Sequence, residues 1–154
     1  PEHLVVAVHG LVLVQAGDAA NAADALGQER LGEDEVPARV AVLARSVAVG
    51  VRLRARLEEI QRRHPGLVGD VRGIGSMLVM EIVKDPSTRA PWMEATAAIC
   101  AETVQRGVIT IRAGLYSNCV RFLPPLDISD EEIDEAMTVV AEAVRAAAKE
   151  RAHG

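Results

Sequence analysis

The chain has 154 residues, 49% of them hydrophobic and 25% charged, which suits one globular domain with its own core and excludes global disorder. Its 17 basic and 22 acidic residues leave a net charge of −5, and only Trp92, Tyr116 and Phe122 are aromatic. No nucleic-acid partner is expected, because such a partner needs cations for its phosphates and rings for its bases.

Residues 1–32 form a poorly patterned N-terminal segment. Its apolar run, residues 4–14, reads as a strand or short buried segment and is broken by His9 and Gly10. The run is shorter than the roughly 20 residues that span a bilayer, and the acidic Pro1-Glu2 flank does not suit a signal peptide. No membrane partner is expected. The chain opens at Pro1 rather than Met, so a piece of a longer reading frame is expected.

Residues 37–64 read as a helix. Glu33, Asp34 and Glu35 suit its N-terminal dipole, and Pro37 suits its first turn. Val40, Leu43, Val47, Val51, Leu57 and Ile60 recur near the helical period and are expected to face inward. Arg52, Arg54, Arg56, Arg62 and Arg63 are expected on a solvated face, and His64-Pro65-Gly66 stops the helix. Residues 67–84 follow as two short strands punctuated by Gly69, Gly73 and Gly75. Gly73-Ile74-Gly75 lacks the third glycine and the following helix of a dinucleotide fingerprint.

Residues 85–91 read as a loop. Pro91 is expected to open a helix over 92–106 with Met93, Ala97, Cys100 and Val104 on one side, ended by Gly107. Residues 108–112 and 119–123 form a predicted hairpin, closed by Pro124-Pro125. Ser129 with Glu132 fits a capping box, and Ile128 with Ile133 fits a hydrophobic staple. The last helix is expected over 130–149, with Ile133, Met137, Val140 and Val144 inward. The predicted fold is α+β: a small, mostly antiparallel sheet with helices packed on one face. The predicted domain spans 33–150, and 151–154 is expected to be a frayed tail.

Chemistry-bearing residues are few. Cys100, Cys119 and four scattered histidines make neither a disulfide framework nor a metal site and fit free thiols in a reducing cytoplasm. No nucleophile pairs with a base. His64 reads as a surface residue, Ser76 lacks a nucleophile elbow, and Asp130-Glu131-Glu132 answers the helix dipole. Arg121 is different, because it interrupts the apolar strand 119–123. If Val120 and Phe122 face the core, Arg121 faces a partner or a cleft, where its planar fork suits a carboxylate. An ordinary ion pair is the alternative. Arg72 presents the same two readings.

The strings GDVRGIGSMLVMEIVKD (69–85) and GVITIRAGLYSNCVRFLPPLDISDEEIDEAM (107–137) resemble the C-terminal small domain of class III aminotransferases, which are pyridoxal-phosphate enzymes of fold type I. The likeness runs from about residue 33 to 148 and is greatest to 4-aminobutyrate aminotransferases. It implies that Arg121 grips a carboxylate of the amino- or oxo-acid substrate and that the intact enzyme is a homodimer; it implies nothing comparable for Arg72, which is read as structural. It also implies a catalytic lysine, a cofactor aspartate and a phosphate loop in a large domain upstream. Lys84 and Lys149 are the only lysines here, and neither stands in that motif. The chain departs from the family pattern elsewhere too. Residues 1–32 lack the Gly-Gly-Asn-Pro segment, and Arg112, Leu115 and Ser117 replace a small residue, Thr and Gly. The expectation is therefore a partial aminotransferase. It supplies Arg121 as substrate contact but no catalytic, cofactor-binding or metal-binding residue, and it is inactive without a large-domain partner. A non-enzymatic amino-acid- or partner-binding module and a functionless remnant with an exposed apolar face stay open.

Overall fold

A computed structural model describes the backbone of residues 35–153 and the side chains of residues 39–151. The expectations for residues 1–32 lie outside the described residues. The elements run α1 (Glu35–Arg63), β1 (Val68–Ile74), β2 (Met77–Asp85), β3 (Ala90–Pro91), α2 (Met93–Gln105), β4 (Ile111–Ala113), β5 (Cys119–Phe122) and α3 (Asp130–His153). The sheet order is β1-β2-β5-β4, with β3 paired to β2, and every pairing is antiparallel. The three helices cover one face and share a single core with Leu78, Met80, Ile82, Val120 and Phe122. This is the predicted α+β sandwich.

The inward face of α1 differs from the predicted one. Leu57 and Ile60 are buried as expected, but their partners are Val49 and Leu53. Val40, Leu43, Val47 and Val51 are 58%, 67%, 58% and 65% exposed. Between residues 40 and 49 the helix is apolar nearly all round, so periodicity alone offers two stripes. Gly50 decides between them. A Cβ there would overlap the carbonyl of Gly75 in the β1–β2 turn, so this bare side of the helix is where the sheet comes closest.

The arginines of α1 also depart from a plain solvated face. Arg45 donates to the carbonyls of Leu126 (2.8 Å) and Ile128, and Arg54 to that of Gly73 (2.9 Å). Arg52 and Arg56 clamp Asp134 of α3 at 2.6 and 2.9 Å. Hydrogen bonds from Arg56 and Arg52 lower the Asp134 carboxyl from 3.8 to about 2. A depressed acid stabilises the fold above its unfolded pKa and loses that contribution as pH falls through its folded pKa. The acid-unfolding curve of Asp134→Asn is therefore expected to be flatter than that of the unmodified chain between pH 3.8 and about 2. Superimposable curves would mean that the clamp adds nothing to stability. Arg62 and Arg63 remain exposed, as expected.

Pro91 does not open α2. It pairs with Val83 in the short strand β3, and the helix starts at Met93. Proline is tolerated at such a sheet margin because it need not donate. The buried face of α2 is Ala95, Thr96, Ile99 and Thr103, rotated from the predicted one, and Met93 and Val104 are exposed. Two threonines enter the core because their hydroxyls are satisfied. Thr96 donates to the Trp92 carbonyl (2.8 Å), and Thr103 bonds the Cys100 carbonyl (3.0 Å) and the Thr110 hydroxyl (2.8 Å). Gly107, at φ 88°, ends the helix as predicted.

The last helix matches its sequence signals at the start. Ser129 N–H donates to Glu132 (2.7 Å), Glu132 N–H donates to Ser129 Oγ (3.1 Å), and Ile128 and Ile133 are buried. Met137, Val140 and Val144 face the core. The helix continues past the predicted 149 to His153.

Candidate carboxylate-binding site

The site is built by strand alternation. Val120 and Phe122 of β5 are buried against the helices, so Arg121 and Cys119 belong to the sheet's other face. The register aligns Arg72, Val79, Arg121 and Ile111 as one row across β1, β2, β5 and β4. The next row is Asp70, Glu81, Cys119 and Ala113.

Those two rows separate the arginines that the sequence left alike. Arg72 Nη1 bonds both Asp70 (2.9 Å) and Glu81 (2.7 Å). Arg89 joins Glu81 at 2.7 Å, and Asn118 Nδ2 donates to Glu81 (3.4 Å) and to the Ile82 carbonyl (3.2 Å). Burial of Glu81 opposes its ionisation, but hydrogen bonds from Arg72 and Arg89 outweigh burial and hold the carboxyl below its ordinary range. Arg72 is thus committed to neighbouring carboxylates. Arg121 is half-buried and makes no ion pair or side-chain hydrogen bond with any described residue. Sequence reasoning passed over Glu81. Its signal was the one that marked Arg121: a charge at the outward position of an otherwise apolar strand.

Past the Ile111–Arg121 pair the β4–β5 ladder ends. A cavity of about 190 Å³ opens there between residues 108–111 and 121–124, reaching Leu53, Ile133 and Met137. Arg121 is the one charged residue of its lining. On the outward face of the sheet, a guanidinium without a partner among the described residues is suited to a carboxylate through a charge-assisted fork.

The turn between β4 and β5 bears on the site. Gly114 has φ 83° and Ser117 φ 51°, with Ser117 N–H donating to the Gly114 carbonyl at 3.0 Å. A serine in the left-handed region carries steric strain that glycine lacks. Ser117→Gly is expected to raise stability by about 0.5–1 kcal/mol in denaturant unfolding. A loss of stability would show that the serine is held there without strain.

The other candidates do not converge on Arg121. His64 is half-buried, and burial, then Arg63 and Arg145, lower its pKa. Ser76 is buried and bonds Ser46 Oγ at 3.2 Å. Burial pushes the free thiols of Cys100 and Cys119 up, which makes them poor nucleophiles. Lys84 pairs with Glu94 at 3.7 Å, five residues along β2 from Arg121's neighbour Val79, roughly 16 Å away. Lys149 lies in α3, in the helical layer. These lysines do not fit a lysine-linked pyridoxal phosphate at Arg121. Among the described residues no acidic, histidine or cysteine cluster suits a metal ion, and no helix is long and apolar enough to cross a membrane.

Comparison with known proteins gives a consistent result. The profile of the aminotransferase class-III family matches residues 35–144. A 5-aminovalerate aminotransferase of Pseudomonas aeruginosa is 36% identical over 137 residues, 89% of this chain and 31% of that protein. A probable 4-aminobutyrate aminotransferase of Bacillus subtilis is 38% identical over 66% of this chain and 23% of its own length. The solved structure of a Bacillus anthracis aminotransferase superposes with a TM-score of 0.66 at 31% identity, covering 73% of this chain and 26% of that one. The chain thus spans under a third of the length of these relatives.

Proposed function

The chain belongs to the class III aminotransferase family, and from that membership we propose that it is the small-domain part of an enzyme moving an amino group from an ω-amino acid to a 2-oxo acid. The family depends on pyridoxal phosphate and uses amino- and oxo-acid substrates. The similarity to 4-aminobutyrate and 5-aminovalerate aminotransferases supports an ω-amino acid as donor. Arg121 holds the substrate carboxylate in this reading, and the carrying observation is that its guanidinium has no partner among the described residues while its neighbour Arg72 is saturated. The cofactor and its lysine come from a large domain, which supplies the electron sink for the reaction when the cofactor is bound. The working enzyme is a cytoplasmic homodimer completed by that domain.

Titration of the purified 154-residue chain with pyridoxal phosphate tests the division of labour. The expected spectrum lacks the absorbance of a lysine-bound cofactor, and 4-aminobutyrate with 2-oxoglutarate gives no turnover. A lysine-bound spectrum that responds to the amino donor would mean that Lys84 or Lys149 serves as the catalytic lysine, against the proposal. A non-enzymatic amino-acid-binding module predicts the same blank titration. It separates from the proposal when a class III large domain is supplied: the proposal then requires turnover, and the module does not.

A further inference from the structure

Strand alternation divides the outward face of the sheet, with Arg121 on the boundary. On one side stands the row Asp70, Glu81 and Cys119, where Arg72 and Arg89 hold both carboxylates. With Arg72 and Arg89 against Asp70 and Glu81, that half carries no net charge and its groups are committed to each other. On its own row, Arg121 has apolar cross-strand neighbours: Val79, half-buried, and Ile111, 39% exposed. Directly opposite residues on one face keep their Cβ atoms about 4.5–5.5 Å apart, so both flank the arginine stem. Met77, two residues back along β2 and 50% exposed, falls on the same face roughly 7 Å from Val79. Single exposed apolar side chains are ordinary on a surface. Here they border a cation that has no partner among the described residues, on the side away from the charged row.

We propose that Val79, Ile111 and Met77 seat the aliphatic chain of the acid whose carboxylate Arg121 holds, so that this face selects a methylene chain over a polar one. The inference rests on the carboxylate role of Arg121 and adds the residues that read the rest of the substrate. A chain laid the other way would meet the Asp70–Arg72–Glu81–Arg89 network and break bonds already made, whereas toward Val79 and Met77 each methylene leaves water for apolar surface.

NMR titration of the full 154-residue chain with unbranched monocarboxylates, from acetate to valerate, tests the seat. Affinity is expected to rise about twofold per added methylene, since a half-open face takes only part of each methylene out of water. Val79→Thr with Ile111→Thr keeps β-branched residues on both strands and should flatten that rise while acetate affinity holds. Met77→Gln should lower valerate affinity and leave acetate unchanged. The unmodified series needs no variant to fold. Equal affinities along it, with binding that Arg121→Met abolishes, overturn the seat and leave the role of Arg121 intact. An undiminished rise in the threonine variant, or undiminished valerate affinity in Met77→Gln, also overturns the seat. Absence of any saturable carboxylate binding, or binding that Arg121→Met leaves unchanged, overturns the role of Arg121 and the seat with it.

Discussion

Arg121→Met is expected to weaken binding of glutarate or 2-oxoglutarate to the full chain by about tenfold or more, measured by NMR titration, with little change in Tm. The magnitude follows from the charge-assisted hydrogen bonds of a guanidinium fork, each about 1.5–3 kcal/mol, against about 1.4 kcal/mol per decade of affinity. The small change in stability follows from the site. Arg121 holds no ion pair or side-chain hydrogen bond with a described residue, so its removal leaves no described partner unsatisfied. Arg121→Lys should fall between the two, because a lysine keeps the charge but not the fork. Arg72→Met should show the reverse pattern. It would leave Asp70 and Glu81 with Arg89 as their one remaining cation among the described residues, lowering stability while carboxylate affinity holds. Equal ligand affinity in Arg121→Met and the unmodified chain would remove Arg121 from the site.

Gly50→Ala is expected to destabilise the fold by on the order of 2 kcal/mol, a fall of roughly 4–8 °C in Tm. The sign is the informative part. In an exposed helix interior the same change stabilises by about 1 kcal/mol, because alanine is the better helix former. Here the new Cβ would overlap the carbonyl of Gly75, and that neighbour is backbone in a turn with φ 51° rather than the far end of a flexible side chain. The β1–β2 turn would have to lift from α1 and draw Ser76 away from Ser46, whose hydroxyl accepts the Ser76 N–H at 3.2 Å. A raised Tm would mean that helix propensity outweighs the contact and that α1 and the turn are not held together there.

The two predictions probe different layers of the same molecule. Gly50 sets which side of α1 meets the sheet, and that choice leaves the Val40–Val51 stripe outside. Arg121 sits on the opposite side of the sheet, where the register brings it beside Val79 and Ile111 and leaves the carboxylates to Arg72. Its chemistry depends on the pairing of β5 with both neighbours and not on any local motif.

Local signals in the sequence were sufficient for the element order apart from the short strand β3, which they read as loop, and for the α+β class, the capping of α3 and the buried face of that helix. Each is decided within a few residues: a serine three positions before a glutamate, an alternation of period two, an apolar stripe of period 3.6 with polar residues around it. The strand position of Arg121 was legible for the same reason. Three things were decided only by tertiary structure. Helix α1 is apolar on two sides, so the close approach of Gly75 to Gly50 had to choose between them. Helix α2 buries threonines because Thr110, the Trp92 carbonyl and the Cys100 carbonyl satisfy their hydroxyls. Arg72 and Arg121 carry the same side chain on similar strands, and only the cross-strand register, which places Asp70 and Glu81 within reach of Arg72 and not of Arg121, makes one structural and leaves the other available. Periodicity records which residues share a face, whereas the partner of that face is fixed by contacts between segments distant in the chain.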